Sequence, residues 1–388
     1  MSNSQLPTTS PSKSTSSARQ YLKIAVQVVF VIALGAALFW YMGTTVPADF
    51  NPGEPTIVRG IHYLYNTIIT LNIGYLILAF VMYFGINVFF TIRLRRVLAK
   101  DNIKTSFGKT LLAQYAGMLT SDVTPGRSGY ILTPVYLRDQ NIPSSKSLSS
   151  ILGIQTIEFL VKVVGGVGAV IYLVAFVPPI TWDAVFPQTL MGVNVGLLLA
   201  ILGIIMMLVG AIVLAAFTWS ERAISIFDRI AKSRYLKRFT GGLMGKLEEY
   251  KESSHHTQRA IPEILGLTMV CWVLKGFEWW LLALALGITN VPWIAFFLIH
   301  PLVTALAFIP ITPAGIGVQE FGIIGILGLL GVPGALAAVF ALLARGLLII
   351  EDLVGLPQIV KSTSLIFSRK KKPDAIPTQT MPSQPLVT

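Results

Sequence analysis

Apolar runs long enough to cross a bilayer recur along this chain from Ile24 to Val360, separated by short polar or basic intervals. A hydrocarbon core about 30 Å thick takes roughly 20 apolar residues per helical crossing. The pattern specifies an all-α, polytopic membrane helical bundle. Composition agrees, with 54% hydrophobic and only 12% charged residues.

Ile24 to Gly43 reads as the first span, an uncleaved helix whose apolar run exceeds the core of a signal peptide. Further spans are expected at Leu64 to Ile92, Leu148 to Val177, Leu190 to Phe217, Leu265 to Leu286 and Leu336 to Val360. Residues 1–20 read as a disordered N-terminal tail, 21–360 as the transmembrane domain, and 361–388 as a basic, disordered C-terminal tail. Basic residues gather beside the spans: Arg93, Arg95, Arg96 and Lys100 after the second, Arg222 to Arg259 in the connector 218–263, and Arg369 to Lys372 behind the last. The positive-inside rule puts all of these in the cytoplasm, so the expectation is a multi-pass cell-membrane protein with both termini cytoplasmic. The net charge of +12 is thereby a matter of topology and lipid contact, and no nucleic acid partner is expected. In the connector, Ile224, Phe227, Ile230, Leu243, Leu247 and Tyr250 recur at helical spacing, which predicts amphipathic helices near the headgroups. A lone cysteine, Cys271, and four scattered histidines predict no disulfide, no metal site and no cofactor.

Two segments do not fit as plain spans, 108–137 and 293–330. Six full spans plus two oppositely oriented hairpins place every basic cluster on one side. The hairpins are re-entrant or, for the second, two short full spans. Each carries the pattern T-P-x-x-x-G, as Thr124-Pro125-Gly126-Arg127-Ser128-Gly129 and Thr312-Pro313-Ala314-Gly315-Ile316-Gly317. Thr suits an N-cap and Pro the first helical position, so each motif predicts the start of a half-helix. Free N–H groups there would face an anion, and paired breaks of this kind mark transport sites. The alternative is that both motifs only kink helices for packing.

TPAGIGVQE, the glycine-rich helix after it, GVPGALAAVFALLARGL and the earlier TPGRSGYILTPVYL together resemble the lysylphosphatidylglycerol synthase transmembrane-region family, a group of flippase-like membrane proteins, over about residues 20–360. The resemblance implies movement of an aminoacylated phospholipid, as in the membrane half of the multiple peptide resistance factor, or a role near dolichol-phosphate-sugar pathways. No aminoacyltransferase domain follows the last span in this sequence, so lysyl transfer is not carried over. Tyr130 stands where relatives often have an acidic residue after the glycine.

Charges inside the spans complete the reading. Glu158 and Lys162 are spaced i,i+4, and Lys275 and Glu278 i,i+3, so each pair can neutralise itself as a structural ion pair. Intramembrane ionisable groups are also candidates for function. Arg127 and Arg345 are the expected phosphate contacts. Glu320 either organises Arg345, binds an amine-bearing headgroup, or is a structural partner only. With Thr124, Gly126, Gly129, Thr312, Gly315 and Gly317 these form the expected substrate site. No P-loop, nucleophile elbow or HExxH is present, and no catalytic residue is expected. The expected function is binding and flipping of an anionic phospholipid or polyprenyl-phosphate-linked lipid. A partner enzyme making that lipid and a homo-oligomer are the expected associations. The alternatives are a secondary transporter of a small anionic solute, or a component of a polyprenyl-phosphate glycosylation or aminoacyl-phospholipid pathway.

Overall fold

A computed structural model describes residues 14–190, 192–220, 222, 244–308 and 315–369. The longer helices among the described residues are α1 (Ser14–Thr45), α2 (Thr56–Ile69), α3 (Ile73–Lys100), α4 (Phe107–Val123), α5 (Ser144–Phe176), α6 (Val195–Trp219), α7 (Met244–Arg259), α8 (Ile261–Ala285), α9 (Trp293–Ala307), α10 (Val318–Leu329), α11 (Gly334–Asp352) and α12 (Leu356–Arg369). Among the described residues five helical segments are long and apolar enough to span a membrane: α3, α5, α6, α8 and Gly334–Ser364. A two-residue antiparallel pair, Thr189–Leu190 with Val193–Asn194, leads into α6.

Several boundaries differ from the sequence reading for local reasons. The expected span from Leu64 to Ile92 is two helices, because Asn72 caps α3 by accepting from the Gly74 and Tyr75 amides at 3.1 and 3.3 Å. α1 already begins at Ser14, inside the stretch read as a tail. α12 likewise reaches Arg369, past the residue 361 boundary expected for the C-terminal tail. The predicted apolar positions Ile224, Phe227, Ile230 and Leu243 lie outside the described residues. The described helix of the connector, α7, is fastened to the bundle by polar contacts. Ser253 and His256 bond to the buried Asp101 at 2.5 and 2.6 Å, Tyr250 donates to the Phe217 carbonyl at 3.2 Å, and Ser145 donates to Glu249 at 2.5 Å.

α3 and α8 form the antiparallel frame. The Asn72 amide donates to the Ala285 carbonyl at 3.0 Å at one end, and Lys100 meets Glu263 at 2.5 Å at the other. Each broken segment is a hairpin closed at its base by a side-chain amide. Ser106 N–H donates to Gln140 Oε1 at 2.9 Å beside the Lys100 end, and Asn290 Nδ2 donates to the Leu330 carbonyl at 3.4 Å beside the Ala285 end. The two hairpins therefore enter the bundle from opposite ends of the frame. At 1.5 Å per residue, α9 is only about 22 Å long, short of the roughly 30 Å hydrocarbon core. It is well enclosed, with Ala295, Phe296, Ile299, Leu302, Val303 and Ala305 all buried. α6, apolar on every side, instead leaves Ile201, Leu202, Ile205 and Val209 exposed, as a lipid-facing helix would.

The last span passes through a 3-10 turn at Leu353–Gly355, where it packs against α4. A Cβ on Gly355 would lie 2.2 Å from the Ala116 amide nitrogen. Gly355→Val should therefore force helices apart at about 1–3 kcal/mol or more. Gly346→Ala, with nothing within 4 Å, should cost almost nothing. Thermal unfolding in detergent reads both; equal midpoints for the two variants would contradict this packing.

Candidate functional site

Where the hairpins approach each other, a cavity of about 970 Å³, counting its mouth, opens inside the membrane-spanning bundle. Its wall is charged. α5 contributes Gln155, Glu158 and Lys162; α8 contributes Thr268 and Lys275; α9 contributes His300 and Thr304. Tyr83 of α3, Asp122 of α4, Tyr130 and Asp352 of α11 complete it.

Two ion-pair groups dominate. Glu158 accepts from Lys162 Nζ through Oε1 and from Arg93 Nη2 through Oε2, each at 2.8 Å. Arg93 is 1% exposed; its Nη1 donates to Thr268 Oγ1 at 2.7 Å and its guanidinium lies 4.6 Å from the Phe90 ring centre. The second group is Lys275, 2.6 Å from the fully buried Glu278 and 4.7 Å from the Tyr83 ring centre. Tyr83 in turn donates to both Asp352 oxygens at 3.0 and 3.1 Å, and Asp122 reaches the same carboxyl. An ammonium has three donors, so each lysine keeps hydrogens to offer toward the cavity.

The structure places the expected residues differently from one another. Glu158 with Lys162, and Lys275 with Glu278, are in contact, and both lysines line the cavity. Arg93, grouped above with a cytoplasmic basic cluster, is turned inward as the third member of the Glu158 group. Its spacing from Ile86, Phe90 and Val97 on one helical face is the signal that would have found it. Glu320 and Arg345 do pair, through Arg345 Nε, and Arg345 Nη2 adds a contact to Gln319 at 3.2 Å. That pair lies outside the cavity wall.

At each motif one backbone amide is taken by an oxygen of the chain itself. After Thr124 comes a 3-10 segment, Pro125–Leu132, in place of an α half-helix, and the Thr124 hydroxyl accepts from the Gly129 amide at 2.6 Å. Gly126 and Arg127 lie in that segment, and the Arg127 side chain is outside the described residues. Thr312 and Pro313 are outside them too. Gly315 and Gly317 take φ of +68° and +86°, a conformation that favours glycine, and the Gly317 amide donates to Glu320 Oε2 at 2.7 Å. The carboxylate thus caps its own helix α10. Asp122, Asp352, Tyr83 and His300 were not singled out from sequence, since their partners are distant in the chain.

A helical bundle crossing the membrane several times, with a charged cavity between opposed hairpins, defines a polytopic integral membrane protein. The family model described as the lysylphosphatidylglycerol synthase TM region matches residues 24–350, and the chain belongs to that family. It is also similar to a UPF0104 membrane protein of Pyrococcus horikoshii, at 22% identity over 314 residues, 78% of this chain and 84% of the relative.

Glu158 balances two cations, so its loss should cost more than that of either partner. Glu158→Gln strands Arg93 and Lys162 in hydrocarbon, for which removal of one buried partner suggests about 3–5 kcal/mol. Lys162→Met leaves Glu158 with Arg93 and should be milder. The comparison is made by thermal unfolding in detergent, and equal destabilisation by the two would show that Arg93 contributes nothing.

Proposed function

We propose that this protein binds the phosphate headgroup of an anionic membrane lipid in the charged cavity and carries it across the bilayer without chemical change. The observation that carries the reading is the pair of lysines, Lys162 and Lys275, on the wall of a cavity between hairpins that enter from opposite ends. Charge placed at that depth is costly, and residues that bear it are functional candidates. Opposed re-entrant hairpins give a headgroup a route from either face to one central site, which is the requirement of alternating access. The basic clusters favour cytoplasmic placement of both termini, so the first hairpin opens toward the cytoplasm.

A second cavity favours a lipid over a free anionic solute. It measures about 1160 Å³ counting its open mouth and lies behind α9, lined by Phe30, Leu34, Leu173, Leu302, Leu306 and Phe321 among others. His300 and Thr304 of α9, with Phe308 just after it, face the charged cavity while Leu302 and Leu306 face this apolar one. One helix thus separates a place for a headgroup from a place for hydrocarbon chains.

Reconstitution tests this reading. Proteoliposomes holding fluorescent phosphatidylglycerol should expose the inner-leaflet label to an outside quencher much faster than empty ones. Lys275→Met with Glu278→Gln, which removes both charges of a pair together, should slow the exchange by roughly tenfold or more, the loss of about one charge-assisted contact. A monodisperse double variant that works at the parental rate would contradict the assignment. Uptake of glycerol 3-phosphate without lipid exchange would favour the solute reading.

A further inference from the structure

Asp352 and Asp122 stand apart from the two lysine pairs. Asp352 is fully buried at the C-terminal end of α11, and Asp122 is 8% exposed near the tip of the first hairpin. Their carboxyls come within hydrogen-bonding range of each other, and both residues line the charged cavity. The groups that face the pair come from every neighbouring helix. Tyr83 of α3 donates to both Asp352 oxygens, and Lys275 of α8 is committed to Glu278 at 2.6 Å. On the far side Glu351 of α11 is met by Tyr115 of α4 at 3.5 Å. Two carboxylates in contact at low dielectric do not both stay ionised, so the pair holds a proton and titrates as a unit. An anion arriving at Lys275 adds negative charge beside it and strengthens its hold on protons. By reciprocity, protonation of the pair strengthens the hold on the anion.

We propose that the Asp122–Asp352 pair carries a co-transported proton, so that an anionic headgroup and H⁺ cross this protein together. The inference rests on the headgroup reading of the same cavity. On the side where the cavity is open, the headgroup binds at the lysines and the pair, which already shares one proton, takes a second from water. On the other side the headgroup leaves and the proton returns to water. One negative charge and one positive charge move in each cycle, so the loaded and empty cavities have the same net charge. That equality removes the cost of shifting an uncompensated charge through hydrocarbon.

The test uses the full chain in nanodiscs and in proteoliposomes. Binding of phosphatidylglycerol should tighten as pH falls, by up to about tenfold per pH unit where one proton is taken up. Asp352→Asn and, separately, Asp122→Asn should flatten that dependence, and an inward proton gradient should accelerate lipid movement in the parent but in neither variant. Infrared spectra of the lipid-free parent should contain a protonated-carboxyl band that Asp352→Asn loses. Lipid binding and exchange in the parent that ignore both pH and the proton gradient would overturn proton coupling while leaving the headgroup reading intact. Proton coupling is likewise overturned if both Asn variants keep the parental pH response. A missing infrared band would overturn the proton site whatever lipid does, whereas a band with no lipid binding at any pH would sink the headgroup reading, and with it co-transport.

Discussion

Glu158 is the point at which this fold meets the rule that charge inside hydrocarbon must be neutralised and hydrogen-bonded. Its two oxygens are taken by Arg93 of α3 and Lys162 of α5, and Arg93 is in turn held by Thr268 of α8. Three spans are tied at one carboxylate. Such a cluster contributes little net stability, since well-packed apolar residues of similar volume often do as well or better. Its value lies in what it exposes: a lysine fixed in place on the wall of a cavity, with hydrogens left to donate. Lys275 repeats the arrangement from α8, against Glu278.

The hairpins contribute to that wall from opposite ends of the α3–α8 frame, their bases pinned by Gln140 and Asn290. Non-helical backbone at membrane depth is acceptable where protein encloses it. In the first hairpin the Thr124 hydroxyl takes the Gly129 amide, and at the start of α10 the Glu320 carboxylate takes that of Gly317.

What the sequence made legible follows the range of each interaction. The apolar runs announced the spans, and the i,i+4 and i,i+3 spacings announced Glu158 with Lys162 and Lys275 with Glu278, because a single helix sets those distances. The prolines and glycines at 124–129 and 312–317 announced breaks. Their geometry was harder to read: whether Thr124 caps a helix or folds onto Gly129 depends on how the hairpin returns. Arg93, Tyr83, Asp122 and Asp352 could not be assembled in advance, since Arg93 meets Glu158 across 65 positions and Tyr83 meets Asp352 across 269. The break at Asn72 has a local signal, since Asn66, Thr67, Thr70 and Asn72 interrupt the apolar run and Gly74 follows.

We propose that a lipid headgroup occupies the cavity between the hairpins. Native mass spectrometry of the purified protein tests it most directly, by comparing the parent with Thr304→Trp, a substitution on α9 that fills the cavity from one wall. The account predicts that the parent retains an anionic phospholipid and that the filled variant, equally folded, loses it. Retention of the same lipid at the same occupancy by both would contradict it.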